Sequence, residues 1–256
     1  MLEPLQSDLL SDHHTIKHGF FTRQGGYSTG LLSSLNMRPL PPECEENFQK
    51  NCQRVCSWFQ NDVSNLVLMQ QVHGDHVVWI EDNANEDYVT ADAMLTQKSN
   101  LILGVRTADC IPLLLYDPKA SICGVIHVGW RGALLNIISK TLQMMSQRGS
   151  LPSNIHAAIG PCIQIQNFEV DQVVCQEFLN YDPYYQSFFI SGKDQHHFWF
   201  NLPALALYQL KSQGVTKVES LDINTYQDEK RFFSYRRSQH ALEKMYGTQI
   251  SAIALK

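Results

Sequence analysis

Apolar residues recur along this chain in two rhythms. In residues 41–60, Phe48, Cys52, Val55 and Phe59 fall at helical spacing behind Pro41-Pro42, which reads as an amphipathic helix entered through a proline pair. From Leu66 the rhythm shortens. Residues 66–71, 76–80, 101–106, 111–116 and 122–128 are short apolar runs bounded by turn residues, the pattern of strands. Helical spacing returns over Arg131 to Gln147, with Gly149 as its stop. Further strands are expected at 156–159, 217–221 and 249–254, and further helices at 171–179 and 203–213. Several strands follow one another with no helix between them, which favours a mixed-sheet α+β fold over alternating βαβ units.

Composition narrows the classes. With 256 residues and 44% apolar content, the chain can bury a large core as one big domain or two small ones. The net charge of −5 lacks the basic excess of a general nucleic-acid binder, so no nucleic-acid partner is expected. The first residues carry neither a basic nor an apolar signal region, and the longest apolar runs are too short to cross a bilayer. A soluble, cytoplasmic protein without a membrane partner is expected. The seven cysteines include no Cys-x-x-Cys pair, and their odd number argues against a disulfide framework.

Candidate chemistry gathers around three residues. Asp117-Pro118-Lys119-Ala120 has the composition of a four-residue type I turn. If Asp117 pairs with Ala120 across it, Cys110 falls directly opposite His127, with Cβ atoms about 5 Å apart. Such a pair suits two ligands of one ion, or a thiol and its base. Asp109 and Pro112 flank the cysteine, and Asp109 joins Cys110 and His127 as a candidate catalytic residue. His127 opens His-Val-Gly-Trp-Arg-Gly, where Gly129 and Gly132 allow close backbone approach. A helix starting there, together with Arg131, would suit a phosphate; a tight strand-to-helix corner is the competing reading. His73 stands at a strand end, before Gly74.

The chain as a whole resembles the laccase-like family first called multicopper polyphenol oxidases and later described as purine nucleoside phosphorylases. The matching segments include Gly19-Phe-Phe-Thr-Arg-Gln-Gly-Gly26, Gln71-Val-His-Gly74, Ala91-Asp-Ala93, Ala108-Asp-Cys110, His127-Val-Gly-Trp-Arg-Gly132, Ile159-Gly-Pro-Cys162 and Phe232-Phe-Ser-Tyr-Arg-Arg237. They run in order from about residue 18 to the end, which leaves residues 1–15 as a loose N-terminal segment of one domain over residues 1–256. The resemblance implies a mixed β-sandwich with flanking helices and a zinc site at His73, Cys110 and His127. It also implies phosphorolysis of adenosine, inosine and methylthioadenosine, and deamination of adenosine, with purine nucleosides and phosphate as partners. Some positions depart from the family pattern: Asn201 stands for Asp, Asn224 for Cys, Thr248 for Arg and Val128 for Ala.

Ligand chemistry supports a metal. One thiolate and two imidazoles suit zinc, and three protein ligands leave the open position of a catalytic site. Cys162 or His76 could supply a fourth ligand to a closed structural site in a purine-binding module. Arg131 is the first candidate for phosphate, followed by Arg23, Arg236 and Arg237, with surface salt bridging as the competing reading for each. Copper could occupy the same ligands, but the 10 histidines include no His-x-His pair of the kind a multicopper oxidase needs. The strongest rival is a metal-free cysteine hydrolase with Cys110 as nucleophile and His127 as base, acting as an amidase or on cell-wall precursors.

Overall fold

Strands β7 (Ile111–Asp117) and β8 (Ile122–Val128) are buried along their whole length. Their side chains divide between two cores: Leu113, Leu115, Ile126 and Val128 face one side, while Leu114, Tyr116, Cys123 and Val125 face the other. A sheet buried on both faces must be covered on both. In the computed structural model, which describes residues 2–39, 44–81 and 89–256, one cover is a second sheet and the other a layer of helices. Pro41 and Pro42, read as the entry to the first long helix, lie outside the described residues.

The central sheet runs β13 (Lys217–Ser220), β9 (His156–Ile159), β7, β8, β5 (Ala93–Thr96), β3 (Val77–Trp79). The sheet stacked on it runs β1 (Ile16–Phe20), β14 (Gln249–Leu255), β6 (Ile102–Thr107), β2 (Leu66–Gln70), β4 (Val89–Thr90). Both mix parallel and antiparallel pairs. Met69, Leu103, Val105 and Ile253 meet Met94, Leu114, Val125 and Tyr116 in the core between them. Helix α2 (Glu45–Phe59) closes the outer face of the second sheet through Phe48, Cys52, Val55 and Phe59, the stripe its spacing foretells. Helices α4 (Ile137–Gln147), α5 (Gln172–Tyr181) and α6 (Leu202–Ser212) cover the outer face of the central sheet. The fold is thus the mixed α+β sandwich with flanking helices that was expected. A small sheet of β10 (Glu169–Asp171), β12 (His197–Phe200) and β11 (Phe189–Ser191) lies beside it.

Three expectations need correction. The turn after β7 is longer than the sequence suggested. The ladder pairs Asp117 with Ile122 and Pro112 with His127, so Cys110 is not opposite His127. The Asp117 carboxylate accepts from the N–H groups of Lys119 and Ala120, and Ser121 takes a left-handed conformation (φ 53°) before the return strand starts. The two extra loop residues shift the register by two places.

The helix expected over 131–147 is two helices. Helix α3 (Trp130–Leu134) ends at a break where Asn136 adopts φ 61°, and α4 follows. Asn is among the few residues that enter this region at low cost. Gly149, at φ 89°, does stop α4.

The N-terminal segment, expected to be loose, is tied down. Helix α1 (Asp8–Ser11) buries Leu10 completely. The Ser7 N–H donates to His18 Nε2 at 2.9 Å, and the Ser7 hydroxyl and the Leu9 N–H both donate to the Glu219 carboxylate.

Candidate metal centre

His127 lies near the end of β8 on the side facing the second sheet, almost fully buried. Cys110 is the last residue before β7, carried by a bend in which Asp109 adopts φ 88°. His73 follows β2 in a left-handed conformation (φ 58°) and is exposed. One potential ligand atom from each of the three lies within 4.8 Å of the others. The expected trio does meet, although by a diagonal approach and not by direct opposition across the ladder.

The donor set fits a metal. It combines one thiolate with two imidazoles, a set suited to a borderline-soft ion. Burial pushes the Cys110 thiol up, but the charge and hydrogen bonds of His127 and His73 outweigh it and bring the thiol down to about 6. Burial likewise pulls the His127 imidazole down, yet Cys110 and Asp92 beside it raise it to about 9. Each group thus favours the charged form of the other, which eases loss of the thiol proton to a metal. The backbone is shaped for the cluster as well. A Cβ on Gly129 would lie 2.8 Å from His73 Nδ1 and 3.3 Å from Cys110 Sγ. Among the described residues no fourth ligand joins the trio. Cys162 is buried, with its thiol pushed far up by burial, and His76 Nδ1 bonds the Thr90 carbonyl.

Asp92 was not assigned a role from the sequence, though it sits in the Ala91-Asp-Ala93 segment. Fully buried, it accepts from the N–H groups of Val72, His73 and Gly74 and from His127 Nδ1. Asp109, expected as a catalytic residue, stands beside Cys110 at the wall of the cleft. Its carboxylate is taken up by the hydroxyls of Thr225 and Ser234 and by the Arg236 N–H, which tie the Cys110 bend to the start of α7 (Tyr235–His240). Burial raises its pKa against those donors.

The trio opens into a cavity of about 1050 Å³. Arg131 and Arg236 line it, each beside an aromatic ring: Arg131 lies over Trp130 at 4.4 Å and Arg236 over Phe168 at 5.6 Å. Because α3 is only five residues long, its dipole adds little, and the phosphate argument rests on the arginine side chains. Arg23 and Arg237 do not line the cavity. Arg23 donates to the carbonyls of Leu31, Ser33 and Glu229 and stacks on Phe233. Arg237 donates to the carbonyls of Thr225, Tyr226 and Phe232. Both guanidiniums hold loops together. Arg38 and Arg106, which the sequence did not single out, also line the cavity, together with Tyr246 and Thr248. Asn201 caps α6 through Ala204 N–H, a task Asn performs as well as Asp, and Asn224 bonds Asn167 and the Tyr226 N–H.

Fold and site together define a β-sandwich protein with an open two-histidine, one-cysteine cluster in a cleft lined by arginines. Residues 17–256 match the family model described as multi-copper polyphenol oxidoreductase laccase, and the chain belongs to that family. It is 34% identical over 215 residues to a purine nucleoside phosphorylase of Rickettsia conorii, covering 83% of this chain and 86% of that one. It is 31% identical to a purine nucleoside phosphorylase of Bacteroides thetaiotaomicron, covering 89% and 88%. The crystal structure of the hypothetical protein YfiH from Bacillus licheniformis superposes with a TM-score of 0.87 at 28% identity, covering 94% and 93%. No helix among the described residues is long and apolar enough to cross a membrane.

Proposed function

We propose that this chain is a zinc-dependent purine nucleoside phosphorylase acting on adenosine, inosine and methylthioadenosine, with a deaminase activity on adenosine. The observation that carries this reading is the His73, Cys110 and His127 cluster opening on a cleft that also presents Arg131 and Arg236. The names of the relatives give the substrate class. Zinc is preferred to copper because the described residues offer a single three-ligand cluster, where a multicopper oxidase needs many histidines.

Zinc held by His73, Cys110 and His127 would supply Lewis-acid polarisation of an oxygen. The other work falls to the chain. Arg131 and Arg236 hold phosphate by charge-assisted hydrogen bonds. Trp130 and Phe168 line the same cleft and add apolar surface for the purine. An oxygen of monohydrogen phosphate then attacks the sugar C1′ as the glycosidic C–N bond breaks, and the proton that the phosphate gives up on becoming the ester goes to the departing base. Holding both reactants in one cleft removes much of the entropic cost of their encounter. A cytoplasmic location accords with seven free thiols.

A second reading is favoured by one geometric feature. His127 bonds Asp92 through Nδ1 at 2.7 Å and pairs with the Cys110 thiolate, the arrangement of a cysteine hydrolase nucleophile, base and orienting acid. One assay separates the two. Purified chain incubated with adenosine or inosine should yield ribose 1-phosphate and free base only when phosphate is present. Phosphate-independent turnover that iodoacetamide abolishes, in protein containing no zinc, would replace the phosphorylase reading by the hydrolase one.

A further inference from the structure

Two of the three cluster residues hang on one carboxylate. Asp92 lies between β4 and β5 and is fully buried. Its Oδ2 accepts from the Gly74 N–H at 2.7 Å and the Val72 N–H at 3.2 Å. Its Oδ1 accepts from the His73 N–H at 3.0 Å and from His127 Nδ1 at 2.7 Å. Its own carbonyl accepts the His127 N–H at 2.7 Å, so the same residue also fixes the backbone from which that ring projects.

From these contacts we infer that Asp92 is the positioning residue of the centre, orienting the His127 imidazole and fixing the backbone turn that carries His73. A carboxylate that receives these four donors can only accept, so His127 must carry a proton on Nδ1 and present Nε2 to Cys110. Three successive N–H groups converging on the same carboxylate hold residues 72–74 in the turn that carries His73, and they hold it in a left-handed conformation otherwise uncommon for histidine. With both oxygens occupied, Asp92 is a partner of the ligands and not a fourth ligand. Removing it releases His73 and unfixes the His127 ring together. Asn cannot substitute: it brings one acceptor oxygen, and its amide nitrogen meets N–H groups that need an acceptor.

The inference deepens the metal reading, and its test keeps the two apart. Zinc affinity of the full chain is measured by competition with a chromophoric chelator, and the imidazole proton of His127 is followed by NMR with and without zinc. In the wild-type chain His127 should show a slowly exchanging, downfield Nδ1–H signal in both states. Asp92→Asn should lose that signal and bind zinc about 10- to 100-fold more weakly, while its melt stays cooperative. An Asp92→Asn protein with wild-type zinc affinity and an unchanged Nδ1–H signal overturns the inference. If neither Asp92→Asn nor Asp92→Ala folds, the wild-type spectrum decides, since a His127 protonated on Nε2 and bare on Nδ1 contradicts the geometry. If the wild-type chain binds no zinc, the metal reading fails by itself, and the NMR signal still tests Asp92.

Discussion

Gly129 stands directly against His73: a Cβ added to the glycine would lie 2.8 Å from the His73 Nδ1 atom. No ordinary contact is that short, and the same Cβ would also press on Cys110 Sγ at 3.3 Å. Gly129→Ala should therefore displace His73, whose exposed ring can move, and weaken zinc binding at least about tenfold. Thermal unfolding of the metal-free protein should shift little. Equal zinc affinities in the two proteins would count against His73 as a ligand.

Arg131 and Arg23, both candidates from the sequence, should separate cleanly. Arg131 lines the cleft and has no acidic partner among the described residues, so Arg131→Ala should raise the KM for phosphate by about 10- to 100-fold, the cost of a hydrogen bond to a charged group. Arg23 instead ties three carbonyls and stacks on Phe233, so Arg23→Ala should cost about 2 kcal/mol of stability and leave that KM unchanged. Steady-state kinetics and a melting curve on both variants check the pair. Similar phosphate dependence in the two would undo the assignment.

Thiol chemistry reports on the centre. In zinc-free protein at neutral pH, Cys110 should react quickly with iodoacetamide, because its thiol is held down to about 6. Cys52, Cys56 and Cys123 are buried, with thiols pushed up to about 12, and should stay inert while the protein is folded. Added zinc should slow Cys110 modification by about tenfold or more, and a chelator should restore it. Mass spectrometry of the modified peptides gives the site, and a Cys110 rate indifferent to zinc would speak against its being a ligand.

Stability should fall in mild acid through His18. Burial pulls its imidazole from 6.5 down to about 4, only partly offset by Glu219, and its Nε2 accepts the Ser7 N–H in the neutral form. The charged form is disfavoured in the fold, so the unfolded chain takes up the proton at higher pH than the folded chain does. The contribution is intact above pH 6.5 and is lost progressively as pH drops from 6.5 to 4, reaching about 3 kcal/mol. Denaturant unfolding across that window should be less pH-dependent in His18→Gln, which keeps an acceptor but does not titrate. Parallel pH profiles for the two proteins would exclude His18 as the source.

The sequence by itself determined the elements whose signal is local. The stripe Phe48, Cys52, Val55, Phe59 needs only helical periodicity to declare a buried face, and the runs at 111–116 and 122–128 need only their length and their bounding turns. The ligand trio was legible too, because Cys110, His127 and His73 each carry chemistry and each stand in a distinctive segment, one that the family resemblance could align. Strands β1, β5 and β10 to β12 escaped, being short and lacking clear alternation, and they are strands because partners elsewhere in the chain supply their hydrogen bonds.

What only the tertiary structure decided was which polar side chains look into the cleft. Register was one such matter: hydrogen bonds accepted by the Asp117 carboxylate and a left-handed Ser121 lengthened a turn that composition alone made shorter, and so moved Cys110 relative to His127. The arginines were another. Arg23, Arg131, Arg236 and Arg237 are chemically alike in the sequence, and whether a guanidinium binds a carbonyl at its back or faces the cleft depends on loops brought together from distant parts of the chain. Asp92 is the clearest case. A short acidic residue between alanines carries no local sign of its task, since its four donors come from residues 72–74 and 127 and meet it only when the ends of two strands are packed side by side.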